Sequence, residues 1–301
     1  MVSLLRKVLV VGAAFSVAAG AAGAAGPAKV HVGLSAFFVV SGGGALWATD
    51  TTGSQVVRVD PAAGRVKARI AVSGQPFGVS YGFGSVWVGS RYADRITRLG
   101  AKTNRRQARI PVGGSPYALA AGVGAVWVSN QGSGTVSRIG PRRNKVIKTI
   151  RVGGQPNGIA VAFKKVWVAD YGRGRLIRID PLRNRVERRI AIPKADWITA
   201  SPDSLWVSSE TGRIYRVDPA TMAVQTTVTV GANPLASAWI AGELWVPNID
   251  SGTVSVVDGA TSSVRATIPV AADPIAVASA AGSPWVTAQL DGDLWRLAAP
   301  A

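Results

Sequence analysis

The stretch from 156 to 192 decides the architecture. It reads Pro156-Asn-Gly-Ile-Ala-Val-Ala162, then Val166-Trp-Val-Ala-Asp170, then Arg175-Leu-Ile-Arg-Ile-Asp-Pro181, then Arg185-Val-Glu-Arg-Arg-Ile-Ala-Ile192. These are four short runs rich in β-branched residues, punctuated by Gly, Asn, Asp and Pro, which is the pattern of strands joined by tight turns. No segment holds a 3.6-residue apolar period over three turns, so helical repeats of similar length are set aside.

The same forty-residue frame recurs on both sides. Tryptophan marks it at Trp47, Trp87, Trp127, Trp167, Trp206, Trp245 and Trp285, at steps of 40, 40, 40, 39, 39 and 40 residues. Eleven residues before the Trp stands Pro76, Pro116, Pro156, Pro234 or Pro274. Eleven after it stands Arg58, Arg98, Arg138, Arg178 or Arg296, with Arg216 at ten. A repeat of this period with four strands per unit predicts an all-β, seven-bladed β-propeller of four-stranded antiparallel blades. The last repeat stops one strand short after Leu294-Trp-Arg-Leu297. Lys29-Val-His-Val-Gly33 matches the outer strand Thr149-Ile-Arg-Val-Gly153, so residues 29–33 are expected to complete the seventh blade and close the ring.

Met1–Lys7 carries two cations, Val8–Gly26 is apolar, and Ala22-Gly23-Ala24 offers an A-x-A cleavage site. The reading is a signal peptide over 1–24, a single propeller domain over 25–301, and a secreted or envelope-located, monomeric protein with no membrane span in the mature chain. With no cysteine, thiol catalysis, thiolate metal sites and disulfides are excluded, and one histidine forbids a multi-His metal centre.

The Pro-x-Gly-Ile-Ala, Val-Trp-Val-Ala-Asn/Asp, Gly-Thr-Val-x-Arg-Ile-Asp and Val-Gly-Gly motifs resemble the YVTN/YncE-like propellers, and the repeats look like those of the streptogramin B (virginiamycin B) lyase fold. The resemblance spans 29–298. It implies mostly exported binding proteins. The lyase branch implies a magnesium ion and a catalytic histidine at the propeller mouth, whereas the one histidine here, His31, falls on the expected outermost strand. No catalytic residues, no metal site and no cofactor are therefore expected, and a lyase-like metal enzyme using Asp196, Asp170 and Glu210 is the alternative.

Sites are sought where the repeats disagree. The tryptophans and the repeat arginines recur around the ring, and they and the Asx residues three after four of the Trp, Asp50, Asn130, Asp170 and Asn248, are read mainly as structural. Ten residues before each Trp come Phe37, Phe77, Tyr117, Asn157, Asp196, Leu235 and Ile275, expected at the mouth of the central channel. The loops after the second strand open on the same face with Arg91, Tyr92, Gln131, Asp170, Tyr171, Glu210, Asp250 and Gln289. Trp197 adds an indole where blade five breaks the glycine pattern. An apolar wall beside convergent polar groups is the usual form of a ligand site; a channel plugged by its own aromatics is the other reading.

Charge adds a second surface. The formal net charge is +18. Residues 58–194 hold 27 Lys and Arg against 5 acids, and residues 195–301 hold 4 against 10. Sequence order is angular order in a propeller, so one side is expected to be basic and to attract polyanions. The candidate contacts are Arg105, Arg106, Arg142, Arg143, Lys145, Arg183, Arg185, Arg188 and Arg189, with protection of outer strands against edge pairing as the structural alternative. The expected function is a non-catalytic binding propeller for an anionic cell-envelope polymer or a protein partner, with nucleic acid as a further alternative.

Overall fold

The computed structural model describes residues 29–270 and 273–300. The expected signal peptide and its cleavage site lie outside them. Seven four-stranded antiparallel sheets form a ring of blades, each running from an innermost to an outermost strand. In blade 4 these are Pro156–Ala162, Lys165–Asp170, Arg175–Asp180 and Arg185–Ala191. The second strands of blades 1 to 3 are buried at every position, whereas outer strands such as Arg65–Ala71 alternate exposed and half-buried residues. Only the outer strand has one face free to water, and its period-two pattern reports that.

The last sheet joins the two ends of the chain. Lys29–His31 is its outermost strand and pairs with Asp293–Arg296, so the order within that blade is 274–280, 283–288, 293–296, then 29–31. Val30 and Val32 are buried, and the Val32 and Gly33 amides donate to the Gly292 carbonyl. His31 Nδ1 and Lys29 Nζ lie 2.9 and 2.8 Å from the Asp293 carboxylate.

Why these repeats pack as a ring follows from the recurring residues. Each repeat tryptophan is at most 1% exposed and packs with the second and third strands of the next blade, as Trp47 does with Val86, Val88 and Leu99. In blades 1 to 4 its indole N–H donates to a carbonyl five residues back, for example Trp127 Nε1 to Gly122 O at 3.2 Å. The repeat arginine lies over its own blade's indole, 5.1 Å for Arg138 on Trp127, and reaches into the next blade. Arg138 donates to Pro181 O and Asn184 Oδ1, both at 2.8 Å; Arg98 does the same to Pro141 O and Asn144 Oδ1; Arg296 reaches Pro61 O, joining blade 7 to blade 1. These arginines are inter-blade clamps. Arg138→Ala is expected to cost about 1–3 kcal/mol through unsatisfied partners, and the exposed Arg142→Ala less than about 0.5 kcal/mol. Chemical denaturation measures both, and equal losses would remove the clamp from the account.

Candidate functional site

The innermost strands build the site through a repeated bulge. In blade 3, Pro116 pairs with Asn130 and Leu119 with Val128, so Tyr117 and Ala118 together face Ser129. Such a bulge turns one side chain out of the pleat, and here it aims Tyr117 at the channel mouth. The same irregularity occurs in blades 1, 2, 4, 5 and 7. A hydroxyl on the second strand satisfies the bulged amide: Ser129 Oγ accepts from Ala118 N at 3.1 Å and Thr287 Oγ1 from Ala276 N at 3.0 Å. Thr287 Oγ1 also donates to Phe37 O at 2.6 Å, stapling the inner strands of blades 7 and 1.

The position after the bulged residue decides whether the channel is open. It is occupied by Gly78, Ala118, Gly158, Ala236 and Ala276 in five blades, and by Phe38 and Trp197 in the other two. A Cβ on Gly158 would lie 2.6 Å from the Asp196 carbonyl, so small residues let neighbouring inner strands approach closely. The two large rings stack on each other across the axis at 5.0 Å, and Phe38 also meets Phe77 edge-on at 5.2 Å. They plug the channel, and a cavity of about 560 Å³ opens on the mouth face, lined by Phe37, Phe77, Tyr117 and Asp196 among others.

Of the expected mouth residues, Phe37, Phe77, Arg91, Tyr117, Asn157, Tyr171, Asp196 and Glu210 line this cavity, with Gln131, Leu235, Ile275 and Gln289. Trp197 does not line it and stacks on Phe38 in the plug. Tyr92 is 78% exposed outside it. Asp170 is buried in its own turn, where its Oδ1 accepts from the Gln155 amide at 2.9 Å and the Arg173 amide at 3.3 Å. Sequence reading missed Phe38, and it missed the amide-bearing Gln75, Gln155 and Asn233 supplied by the loops preceding the inner strands. The signal for Phe38 was present: aligning the residue after each mouth position shows two aromatics among five small residues.

The aromatic wall differs from the expectation in one respect. Phe77 and Tyr117 are nearly buried, and the Arg91 guanidinium covers them at 4.8 and 5.7 Å from their ring centres. Their faces are therefore occupied by a cation instead of being free for a ligand to stack on. What the cavity offers is a polar relay. Arg91 donates to Gln131 Oε1 at 2.8 Å, Gln131 Nε2 donates to Asn157 Oδ1 at 2.7 Å, and Asn157 Nδ2 donates to Asp196 Oδ1 at 2.8 Å. The donors point in one direction and end on a carboxylate, an arrangement in which each bond polarises the next. On the same blades 4 and 5, the Tyr171 hydroxyl donates to Glu210 Oε2, and Lys194 Nζ donates to the Tyr171 oxygen at 3.1 Å. The bond to Glu210 holds the Tyr171 phenol above its ordinary value.

Burial raises the Asp196 carboxyl to about 6, with the Glu210 charge adding to the rise and bonds from Asn157 and Tyr117 opposing it. In the unfolded chain this group ionises near 3.8. Between those values the folded state holds the proton and the unfolded state does not, so this group's contribution to stability falls as pH rises through that window. The displacement corresponds to roughly 3 kcal/mol at most. Asp196→Asn keeps an oxygen to accept from Asn157 and removes the charge. It is expected to raise the melting temperature at pH 8 and to leave it unchanged near pH 3; a uniform effect at both would refute a buried, reluctantly ionised carboxylate.

The metal-and-histidine centre implied by the lyase resemblance does not fit the residues present. Asp170, Asp196 and Glu210 each turn to their own protein donors, and among the described residues no group of three His, Asp or Glu side chains could hold a metal ion. His31 sits on the outermost strand beside Asp293.

The candidate polyanion residues divide between places. Arg105, Arg142, Arg143 and Arg183 occupy turns between third and fourth strands, on the face opposite the mouth, because antiparallel order alternates the ends at which turns fall. Arg106, Lys145 and Arg185 begin the outer strands at that same end, while Arg188 and Arg189 lie further along. All are exposed, and among the described residues only Arg183 of this set has a carboxylate partner, Asp180 at 3.2 Å.

No protein-family model matches the chain, and no curated protein matches it in sequence. Solved structures match its fold. The hydrazine synthase of Kuenenia stuttgartiensis does so with a TM-score of 0.79 at 13% identity, covering 88% of this chain and 95% of that one. A streptogramin B lyase gives 0.78 at 16%, covering 87% and 93%. A catalytically inactive virginiamycin B lyase from Staphylococcus aureus with quinupristin gives 0.77 at 16%, covering 87% and 94%. At these identities the likeness is one of fold, and fold carries many unrelated functions.

Proposed function

We propose that the protein is an exported, non-catalytic propeller of the YVTN/YncE-like type that binds an anionic cell-envelope polymer through its mouth face. The observation that carries this reading is the amide-lined cavity at the mouth, which offers hydrogen-bond donors and a guanidinium on the basic side of the ring. Amides and hydroxyls suit a polyhydroxylated unit. One oxygen each of Asp170, Asp196 and Glu210 already accepts a bond from a protein donor, which weighs against their use as an acid–base pair on it. A folded protein partner would instead require an exposed apolar centre, which this mouth does not offer.

The competing reading is a metal-dependent enzyme of the lyase-like branch. Titration calorimetry of the purified protein with poly(glycerol phosphate) and, separately, with magnesium chloride distinguishes the two. Polymer binding without tight magnesium binding is the expected result. Tight magnesium binding without polymer binding would replace the proposal by the enzyme reading.

A further inference from the structure

Two further depressions on the mouth face connect the central cavity to the rim. The outer one, about 550 Å³, is lined by Gly132, Gly134, Arg151, Gly153, Arg173 and Arg189, between blades 3 and 4. The next, about 580 Å³, shares Gly154 and Arg173 with it and adds Lys194. This second depression shares Gln155 and Tyr171 with the central cavity. Through these shared residues the three adjoin as a trough, with three guanidinium groups at its outer end and Tyr117, Asn157 and Asp196 at its inner end.

Its local sequence explains why it lies there. The loop Gln131-Gly132-Ser133-Gly134 and the loop Tyr171-Gly172-Arg173-Gly174 carry two glycines each, where blades 2 and 7 place Tyr92 and Leu290, both exposed. Small loops leave a channel and large ones raise a wall. Gly153 has φ +78°, and a Cβ there would collide with the Arg173 guanidinium, so that guanidinium rests on bare backbone. The departure of blade five from the glycine pattern, Ile192-Pro193-Lys194, puts a cation at the inner end. Arg151, Arg173 and Arg189 are exposed and have no carboxylate partner among the described residues, although Arg178 and Lys165 nearby both pair with Glu187. Unneutralised arginine forks lining a concave path fit phosphate oxygens bidentately.

Resting on the binding function proposed above, we infer that this trough is the track of a phosphodiester-linked polyol chain, whose phosphates lie over Arg151, Arg173 and Arg189 and whose leading unit enters the central cavity past Lys194 and Tyr171. A polyol chain is favoured over a nucleic acid because single-strand binders stack bases on free aromatic faces. Here Arg91 lies over Phe77 and Tyr117, Lys194 lies over Tyr171, Phe37 packs on Phe77, and Phe38 and Trp197 stack on each other, which leaves the exposed Tyr92 outside the cavity as the free ring.

The test compares two charge removals in the purified protein, read by binding of fluorescent poly(glycerol phosphate) at low salt. The trough variant is R151Q/R173Q/R189Q; the control is R105Q/R106Q/R142Q/R143Q on the opposite face and rim, which removes one more charge. Far-ultraviolet dichroism and melting temperature report folding, and among the described residues the Arg173 hydrogen bond comes from its backbone amide, which the substitution keeps. The trough variant is expected to bind at least tenfold more weakly, with a salt slope lower by about three charges, while the control loses less than about threefold. Losses in proportion to charge removed would overturn the trough and leave a diffuse basic surface in place. Failure of the unaltered protein to bind the polymer would overturn the function itself. Binding of a thymidine oligonucleotide as tight as that of the polymer, with the same dependence on the three arginines, would overturn the assignment to a polyol chain.

Discussion

Trp127→Ala lowers the stability of the folded ring by about 3–5 kcal/mol, the range for removing a buried indole, and the melting temperature by roughly 6–20 °C for a domain of this size. Trp127 is fully buried, donates to Gly122 O and packs against Val166, Val168 and Ile177 of the next blade. The cavity left behind opens at an interface between sheets, where neither blade can close the gap without shifting its neighbours around the ring. Arg138 loses its stacking surface at the same time, which loosens its grip on the following blade. Thermal unfolding followed by near-ultraviolet dichroism reads the change. A loss under about 1 kcal/mol would mean that blades cohere mainly through their inner strands.

Deleting residues 25–34 is the second large effect. It takes away the strand Lys29–His31, the buried side chains of Val30 and Val32, and both partners of the Asp293 carboxylate, which is left at a sheet edge. Burying two valines contributes about 3–6 kcal/mol, before counting the ladder bonds of the strand. Arg69 of blade 1 also reaches the His31 carbonyl, so the deletion severs a contact across the seam between blades 7 and 1. The expected outcome is a marked drop in melting temperature together with unpaired-edge association. Unchanged stability would show that the seam is held by the inner strands and the Arg296–Pro61 contact alone.

How far the sequence carried the account depends on whether a feature repeats. The tryptophans, clamping arginines, Asx turns and missing last strand all recur or are conspicuous by failing to recur, because each blade solves the same packing problem. Single-copy features were harder. Phe38 and Trp197 meet only because blades 1 and 5 face each other across the axis, a relation that linear spacing hides. Arg91 covering Phe77 and Tyr117 is equally invisible, since the guanidinium comes from a loop whose residues vary in every blade. Asp170 looked like a mouth carboxylate beside Tyr171, yet its turn absorbs it; residue type could not say which of two adjacent side chains faces the cavity. The trough was the least legible part. Arg151 and Arg173 sit in different loops, and nothing but the glycines on either side marks the depression they share.

The excess of positive charge on one arc is open to two physical explanations that predict different measurements. Edge protection needs charge of either sign and is indifferent to a partner. Recognition needs cations that release counterions when a polyanion arrives. Binding of poly(glycerol phosphate) to the purified protein, followed from low to high salt, separates them most directly. Tight binding at low salt is expected, with the logarithm of affinity falling linearly against the logarithm of salt concentration at a slope reflecting three or more neutralised phosphates. Absence of binding at low salt would contradict it and reduce the basic arc to protection of the outer strands.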